Sequence, residues 1–444
     1  MSSEKAKVSE QTPPEHRETR WTHLQRGAQA RLLRKMDWNI VPFLALLYLL
    51  SFLDRSNIGN ARLAHLERDL GMTGKLDYNI ALAVFFPPYV LAEIPSNLMM
   101  KRMGHPSGSA HDLDGLVKNL TGLVIARIFL GFCEGGLFPG VTWYITLWYR
   151  RHECGLRMAI FFSAATLADG RHRWSPGWAW IFILEGLVTV VVAFFAKWVI
   201  NDSPETAKFL TEDERTEVVA RLKLDRTSLA DEYHFKYFKA AVKDWKIWVH
   251  MLITIGIYTP LYSISLFLPT IVRNMGYTDE KAQLMSVPPY VVGCVATIGG
   301  GYLADRSKKR GPYMMFFCII AIIGFVMLIS TNTPAVQYLG TFFAVSGIYP
   351  NVPMGVAWNG NNIGGSTKRA VGIAMHVGFG NLGGVISGFA YRSSEAPRFY
   401  SGHGLLIGTI TMSTILSLFM HLYLEMKEAE RELGDNASFF RYTE

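Results

Sequence analysis

The sequence predicts an all-α polytopic membrane protein, and three observations carry that prediction. Half of its 444 residues are hydrophobic. These gather in apolar runs near the length of about 20 residues that a helix needs to cross about 30 Å of hydrocarbon. The basic residues fall in short blocks between the runs, at Arg31/Arg34/Lys35, Arg150/Arg151/Arg157, Arg306/Lys308/Lys309/Arg310 and Lys368/Arg369, as positive-inside topology requires. The net charge of +8 therefore reads as membrane orientation and not as a nucleic-acid surface.

Residues 1–37 are polar and read as a cytoplasmic tail; the first apolar run, Trp38 to Leu53, follows no cleavable leader pattern. Spans are expected near 38–54, 80–100, 120–148, 156–168 and 178–200, then near 246–272, 285–304, 313–330, 335–357, 370–391 and 404–425. The longest polar insertion, 201–245, separates an N-terminal bundle (38–200) from a C-terminal bundle (246–426), and 427–444 form a second cytoplasmic tail. Within the insertion Thr211 precedes Glu214 by three positions, a capping-box signal, so 211–223 should form a surface helix.

The first bundle is short by comparison with the second. Residues 103–118 are too polar to cross a bilayer, and the run 156–168 stops at Asp169-Gly170-Arg171-His172-Arg173. A third span is thus expected to be absent and the fifth about half length, with damage near 103–118 and 169–177. Removing two crossings would place Arg150, Arg151 and Arg157 outside, against the positive-inside pattern. The expectation is a spliced, frameshifted or mis-assembled form of a twelve-span chain; the alternative is a genuine shortened isoform.

Arg127 and Glu134 lie two turns apart on one helix face inside an apolar run. An ionisable side chain at membrane depth costs on the order of 2.5–3.5 kcal/mol, so it normally faces a polar cavity, a partner or a substrate. Two on one face suggest a polar pathway, or an ion pair that only holds helices together. Cys133, Cys154, Cys294 and Cys318 have neither CxxC nor metal-ligand spacing, so no metal is expected. No phosphate-binding Gly-rich loop, Gly-x-Ser-x-Gly or His-Glu-x-x-His occurs; neither ATP-driven transport, enzymatic activity nor a cofactor is expected. Pro87-Pro88 and Pro288-Pro289, one pair in each half, are a weak echo of internal duplication and mark kinks.

The turn Gly301-Tyr302-Leu303-Ala304-Asp305-Arg306-Ser307-Lys308-Lys309-Arg310 resembles the signature loop of the major facilitator superfamily in its second-half position. The segment Tyr48-Leu49-Leu50-Ser51-Phe52-Leu53-Asp54-Arg55-Ser56-Asn57-Ile58-Gly59-Asn60-Ala61 looks like the anion:cation symporter branch, in particular the fungal allantoate permease family. Ala92-Glu93-Ile94-Pro95-Ser96-Asn97, Glu134-Gly135-Gly136-Leu137-Phe138-Pro139-Gly140, Trp180 to Gly186, Trp358-Asn359-Gly360-Asn361-Asn362 and Thr367-Lys368-Arg369-Ala370 match the same pattern. The resemblance covers roughly 38–425 apart from the two damaged segments.

It implies a major facilitator fold of two six-helix bundles, about eleven of twelve spans being recognisable, rocking about a central cavity. It implies a plasma-membrane monomer that imports a small organic anion, such as a vitamin carboxylate or an allantoate-like ureide, with a proton. The alternative is a non-transporting sensor or an inactive truncated isoform on the same scaffold. By motif, Asp54, Arg55, Arg127 and Glu134 form the coupling and binding site. Arg offers a planar, permanently charged fork for a carboxylate. Arg127 is therefore expected to bind substrate, Arg55 to bind substrate or to pair internally with an acid, and Glu134 and Asp54 to exchange protons. Asp54 and Arg55 are expected at the partly solvated outer end of their span. His376, Asn381 and Tyr258 are expected to bind substrate, His376 with a proton role as the alternative and Tyr258 lining the cavity beside Tyr262, while Glu93 and Glu185 are weaker candidates. In the gating loop, Gly301 allows close helix approach, and Asp305, Arg306 and Arg310 make charge contacts that open and close.

Overall fold

A computed structural model of the chain describes residues 24–63, 65–93, 117–168, 178–201, 203–226, 235–364 and 366–432. These residues are helical and contain no strand. The first long helix, α1 (Leu24–Leu63), spans 40 residues with Pro42 inside it. The expected span 38–54 is only its middle. The helix does not end at Leu53 because Asp54, Arg55, Ser56 and Asn57 are buried against other helices, so the polar run meets protein where a solvated end was expected. Asp54 and Arg55 are accordingly at the centre of the fold.

Short helices α2 (Leu66–Asp69) and α3 (Asp77–Ala83) follow. The next, α4 (86–93), restarts after a break at 84–85, directly before Pro87-Pro88, since proline lacks the N–H that would continue the preceding helix. α5 (Leu120–Glu134) is capped by Asn119, whose side chain accepts from the Gly122 amide at 2.8 Å. The expected single span 120–148 is two helices. It breaks at Gly135-Gly136, where glycine weakens helical continuity, and resumes as α6 (Leu137–Trp148).

At the fifth span the helix is longer than its apolar run. Helix α7 (Arg151–Ala168) starts five residues before Leu156 and contains 18 residues, about 27 Å of rise. Its polar first turns belong to the helix because their charges are partnered: Arg157 forks onto Asp37 of α1 at 2.9 and 2.8 Å. The expected damage at 103–118 and 169–177 falls almost wholly outside the described residues. α8 (Trp178–Val199) completes the first half.

In the linker, α9 (Glu212–Arg226) begins with the expected reciprocal cap: the Thr211 amide donates to Glu214 Oε2 at 2.9 Å and the Glu214 amide to Thr211 Oγ1 at 3.4 Å. It docks on the first half through Lys35–Glu214 at 2.6 Å and Arg221–Glu153 at 2.7 Å. A short α10 (Phe235–Val242) leads into the second half.

There, α11 (Trp245–Asn274), α12 (Asp279–Ser307), α13 (Gly311–Ser330), α14 (Pro334–Ile348), α15 (Asn351–Asn361), α16 (Ser366–Asn381), α17 (Gly383–Gly388) and α18 (Tyr400–Glu432) follow in order. Two expected spans are again divided, 335–357 at Tyr349-Pro350 and 370–391 at Leu382. Six helices among the described residues are long and apolar enough to cross a membrane: Gly27–Gly59, Trp245–Asn274, Lys281–Ser307, Gly311–Ser330, Lys368–Gly388 and Tyr400–Ala429. The apolar window of α11 is 89% buried and that of α18 is 28% buried. α11 is therefore the axial helix of the second half, and α18 turns most of its apolar side chains outward.

Candidate functional site

The centre of the fold is a chain of hydrogen bonds that crosses between the halves. Arg55 of α1 sends Nη2 to Glu134 Oε2 of α5 at 3.3 Å and Nη1 to the Tyr262 hydroxyl of α11 at 3.1 Å. Tyr262 donates to Asn381 Oδ1 of α16 at 2.5 Å, and Asn381 Nδ2 donates to Glu93 Oε2 of α4 at 3.3 Å. Three of the five residues come from the first half and two from the second. Arg55 is 5% exposed, and its guanidinium carbon lies 4.6 Å from the Tyr89 ring and 4.9 Å from the Phe85 ring. Its charge is thus held by one carboxylate and aromatic faces, in surroundings where cation–π attraction is strengthened by the loss of water.

A cleft of about 230 Å³ opens on this chain, lined by Tyr48, Arg55, Tyr89, Tyr258, Tyr262 and Asn381 among others. Four expected site residues, Arg55, Tyr258, Tyr262 and Asn381, are thereby brought together. Glu134 reaches the group through Arg55. Arg127 is buried as expected, but its Nη1 donates to the Arg55 main-chain carbonyl at 3.5 Å and its guanidinium lies 5.8 Å from the Phe182 ring. It braces the turn of α1 that carries Arg55. Asp54, 1% exposed, and His376 are buried beside this centre and outside the cleft lining. His376 shares a hydrogen bond with Thr254 Oγ1 of α11, 2.9 Å from Nε2 and 3.2 Å from Nδ1. The Glu185 side chain lies outside the described residues.

The two halves meet on either side of the cleft. At the basic end Asp305 of α12 accepts the Leu156 amide of α7 at 2.7 Å and pairs with Arg310 at 2.6 Å. A Cβ placed on Gly301 would stand 2.6 Å from Ala159 Cβ, so α12 meets α7 at a distance only glycine permits. Arg306 is left out of this contact; it is exposed and donates to its neighbour Tyr302 at 3.4 Å. At the opposite end Asn79 of α3 donates to the carbonyls of Gly388 and Tyr391, and a Cβ on Gly59 would stand 2.6 Å from the Leu266 carbonyl oxygen.

Sequence reasoning missed Tyr48, Tyr89 and His250. Tyr89 precedes Glu93 by one helical turn, a spacing that places it on the same face. His250 begins a series at Thr254, Tyr258 and Tyr262 with the same spacing of four.

A model of the Major Facilitator Superfamily matches residues 173–388. The MFS-type transporter cnsO of Penicillium expansum is 34% identical over 456 residues, covering 94% of this chain and 88% of the relative. An uncharacterized transporter of Schizosaccharomyces pombe is 33% identical, covering 90% and 88%. The high-affinity nicotinic acid transporter of Saccharomyces cerevisiae is 30% identical over 426 residues, covering 91% and 79%. Among solved structures, the partially occluded inward-open xylose transporter XylE from E. coli aligns with a TM-score of 0.60 at 14% identity, covering 86% of this chain and 98% of that one. A bacterial homologue of the human lysosomal transporter Spinster, in an inward-facing conformation, aligns at 0.58 and 15%, covering 86% and 96%.

Proposed function

The chain belongs to the major facilitator superfamily and is a multi-pass secondary transporter of a small molecule; from that premise we propose that it is a proton-coupled symporter for a small organic anion. The observation that carries this reading is the buried Arg55–Glu134 pair. Arg55 offers the cleft a permanently charged fork, and Glu134 is the group that holds it. Protonation of Glu134 removes its charge and frees the fork for a substrate carboxylate. Substrate deprived of that proton competes with Glu134 for one arginine. Proton and anion thus favour each other's binding by the same factor, the reciprocity that any such linkage obeys. The loaded pair adds no net charge to the site. The Tyr262–Asn381 arm reports occupancy to the second half, which must close over the ligand.

The aromatic walls at Tyr48, Tyr89 and Tyr262 suit a flat carboxylate, and nicotinate, an aromatic carboxylate for which one relative is named, is the first probe. Membership of the fungal allantoate permease family, a monomeric state, the plasma membrane as location, and bundles 38–200 and 246–426 joined by 201–245 complete the proposal. Asp54 is the second acid proposed for proton exchange, and Asp305 with Gly301 and Arg310 the cytoplasmic gate. The test is uptake of radiolabelled nicotinate into proteoliposomes. Glu134→Gln should retain counterflow exchange and lose accumulation under an inward proton gradient. Accumulation equal to that of the unaltered protein would show that Glu134 is not the proton carrier. Nicotinate binding without any uptake would instead favour a sensor.

A further inference from the structure

His250 is 2% exposed, and neither ring nitrogen has a hydrogen-bond partner among the described residues. Its ring meets Trp358 of α15 edge-on, with centroids 4.9 Å apart, and lies 6.2 Å from the ring of His376 of α16. Buried polar groups are nearly always paired, so an unpaired imidazole in a packed interior calls for a role in which the ring gains a partner. His250 is also the last member of a stripe. His250, Thr254, Tyr258 and Tyr262 recur every four residues on α11, all buried, which places them on one face over about 18 Å of helix. The stripe starts in the central chain, where Tyr262 meets Arg55 and Asn381. It passes Tyr258, which lines the cleft, and Thr254, which is bonded to His376. It ends one helical turn or so from the basic end of α11.

We propose that His250, backed by His376 and Thr254, is the exit site for the coupled proton, the place where it waits in the second half before release to the cytoplasm. This rests on the symport reading above. The Glu134 carboxyl gives up its proton and becomes a carboxylate. The Thr254 hydroxyl donates to the His250 main-chain carbonyl at 2.8 Å and Tyr262 donates to Asn381, so water admitted when the cleft opens carries the proton along the stripe, each molecule accepting one proton and passing on one. The ring nitrogen of His250 that carries a lone pair takes the proton as an N–H bond, and the resulting imidazolium hands it to cytoplasmic water as hydronium and returns to neutral.

The groups facing His250 allow this. Asp244 and Lys246 act on it from the start of its own helix, and Asp244 is tied to Lys368 of α16 at 2.6 Å. α16 also presents His376, and α15 presents uncharged Trp358. On the side of α10, Phe238 and Ala241 belong to an apolar cluster with Ile247 and Met251. Among the described residues, no carboxylate is bonded to the ring to hold the proton permanently.

The test uses the full chain in proteoliposomes oriented by inside-specific proteolysis, with nicotinate as probe and the cytoplasmic-side pH varied between about 6 and 8, the range of histidine titration. Uptake by the unaltered protein should rise with cytoplasmic pH, by up to about tenfold per unit, the limit for one linked proton. His250→Gln should flatten that dependence, and retention of the full dependence would overturn the proposal. Nitrogen NMR of histidine-labelled protein in the same membranes, with His250 assigned by its loss in His250→Gln, provides a readout that needs no substrate. Conversion of this ring to imidazolium as pH falls supports the site, and a ring neutral throughout overturns it. If the unaltered protein fails to accumulate nicotinate, the functional reading fails, and the NMR result alone decides His250.

Discussion

Arg55 shows how much a single position can tie together. It pairs with Glu134, donates to Tyr262 and stacks on two rings, so its loss leaves a buried carboxylate without its cation. Arg55→Ala is expected to destabilise the protein by about 3–5 kcal/mol, the cost of breaking a buried pair from one side, read as a lowered thermal midpoint in detergent. Arg55→Lys keeps the charge without the fork and should preserve more of that stability while still losing nicotinate accumulation, because a lysine binds a carboxylate as a point charge. The importance of this residue was legible in the motif around it. Its depth was not, because a run of Asp, Arg, Ser and Asn reads as a helix leaving the membrane unless other helices bury it. The same holds for Arg127 and Glu134. Their shared face announced burial, but Glu134 finds its cation 79 positions away in sequence, and helical periodicity says nothing about partners on other helices.

Elements behaved differently from residues. The linker helix α9 was legible down to its cap, because a capping box is local chemistry. Its docking was not. Glu214 holds two partners, and the Lys35 side chain together with the Thr211 amide lowers its pKa below the ordinary carboxylate range. A carboxylate with a depressed folded-state pKa contributes stability above its unfolded pKa and loses it as pH falls through the folded value. Contact between α9 and α1 is therefore expected to weaken on acidification below the usual carboxylate range, and Glu214→Gln to weaken it at neutral pH. Hydrogen exchange of 212–226, corrected for intrinsic rate, measures both. Where sequence analysis failed on elements, it failed at breaks within apolar runs. Gly135-Gly136, Tyr349-Pro350 and Leu382 divide helices whose hydropathy is continuous, and hydropathy does not register a break in the backbone hydrogen bonds.

Across the whole molecule, the all-helical class followed from apolar runs and basic blocks, while the meeting of the two halves on either side of the cleft did not. The contacts that make it join residues far apart in the chain: Asp305 with Leu156, Asn79 with Gly388, Gly59 with Leu266. The cleft on Arg55 is narrow and walled by aromatic rings. With the halves meeting on both sides of it, the interior works as a caliper. Whatever docks on Arg55 is carried only if the jaws meet again around it, so size is judged at closure and not at capture. A nicotinate derivative with a bulky ring substituent is expected to compete for uptake yet never be accumulated, which paired inhibition and direct-uptake assays would reveal. Such a molecule is a wedge, and the narrowness that selects the cargo is the same property that leaves the carrier open to being jammed.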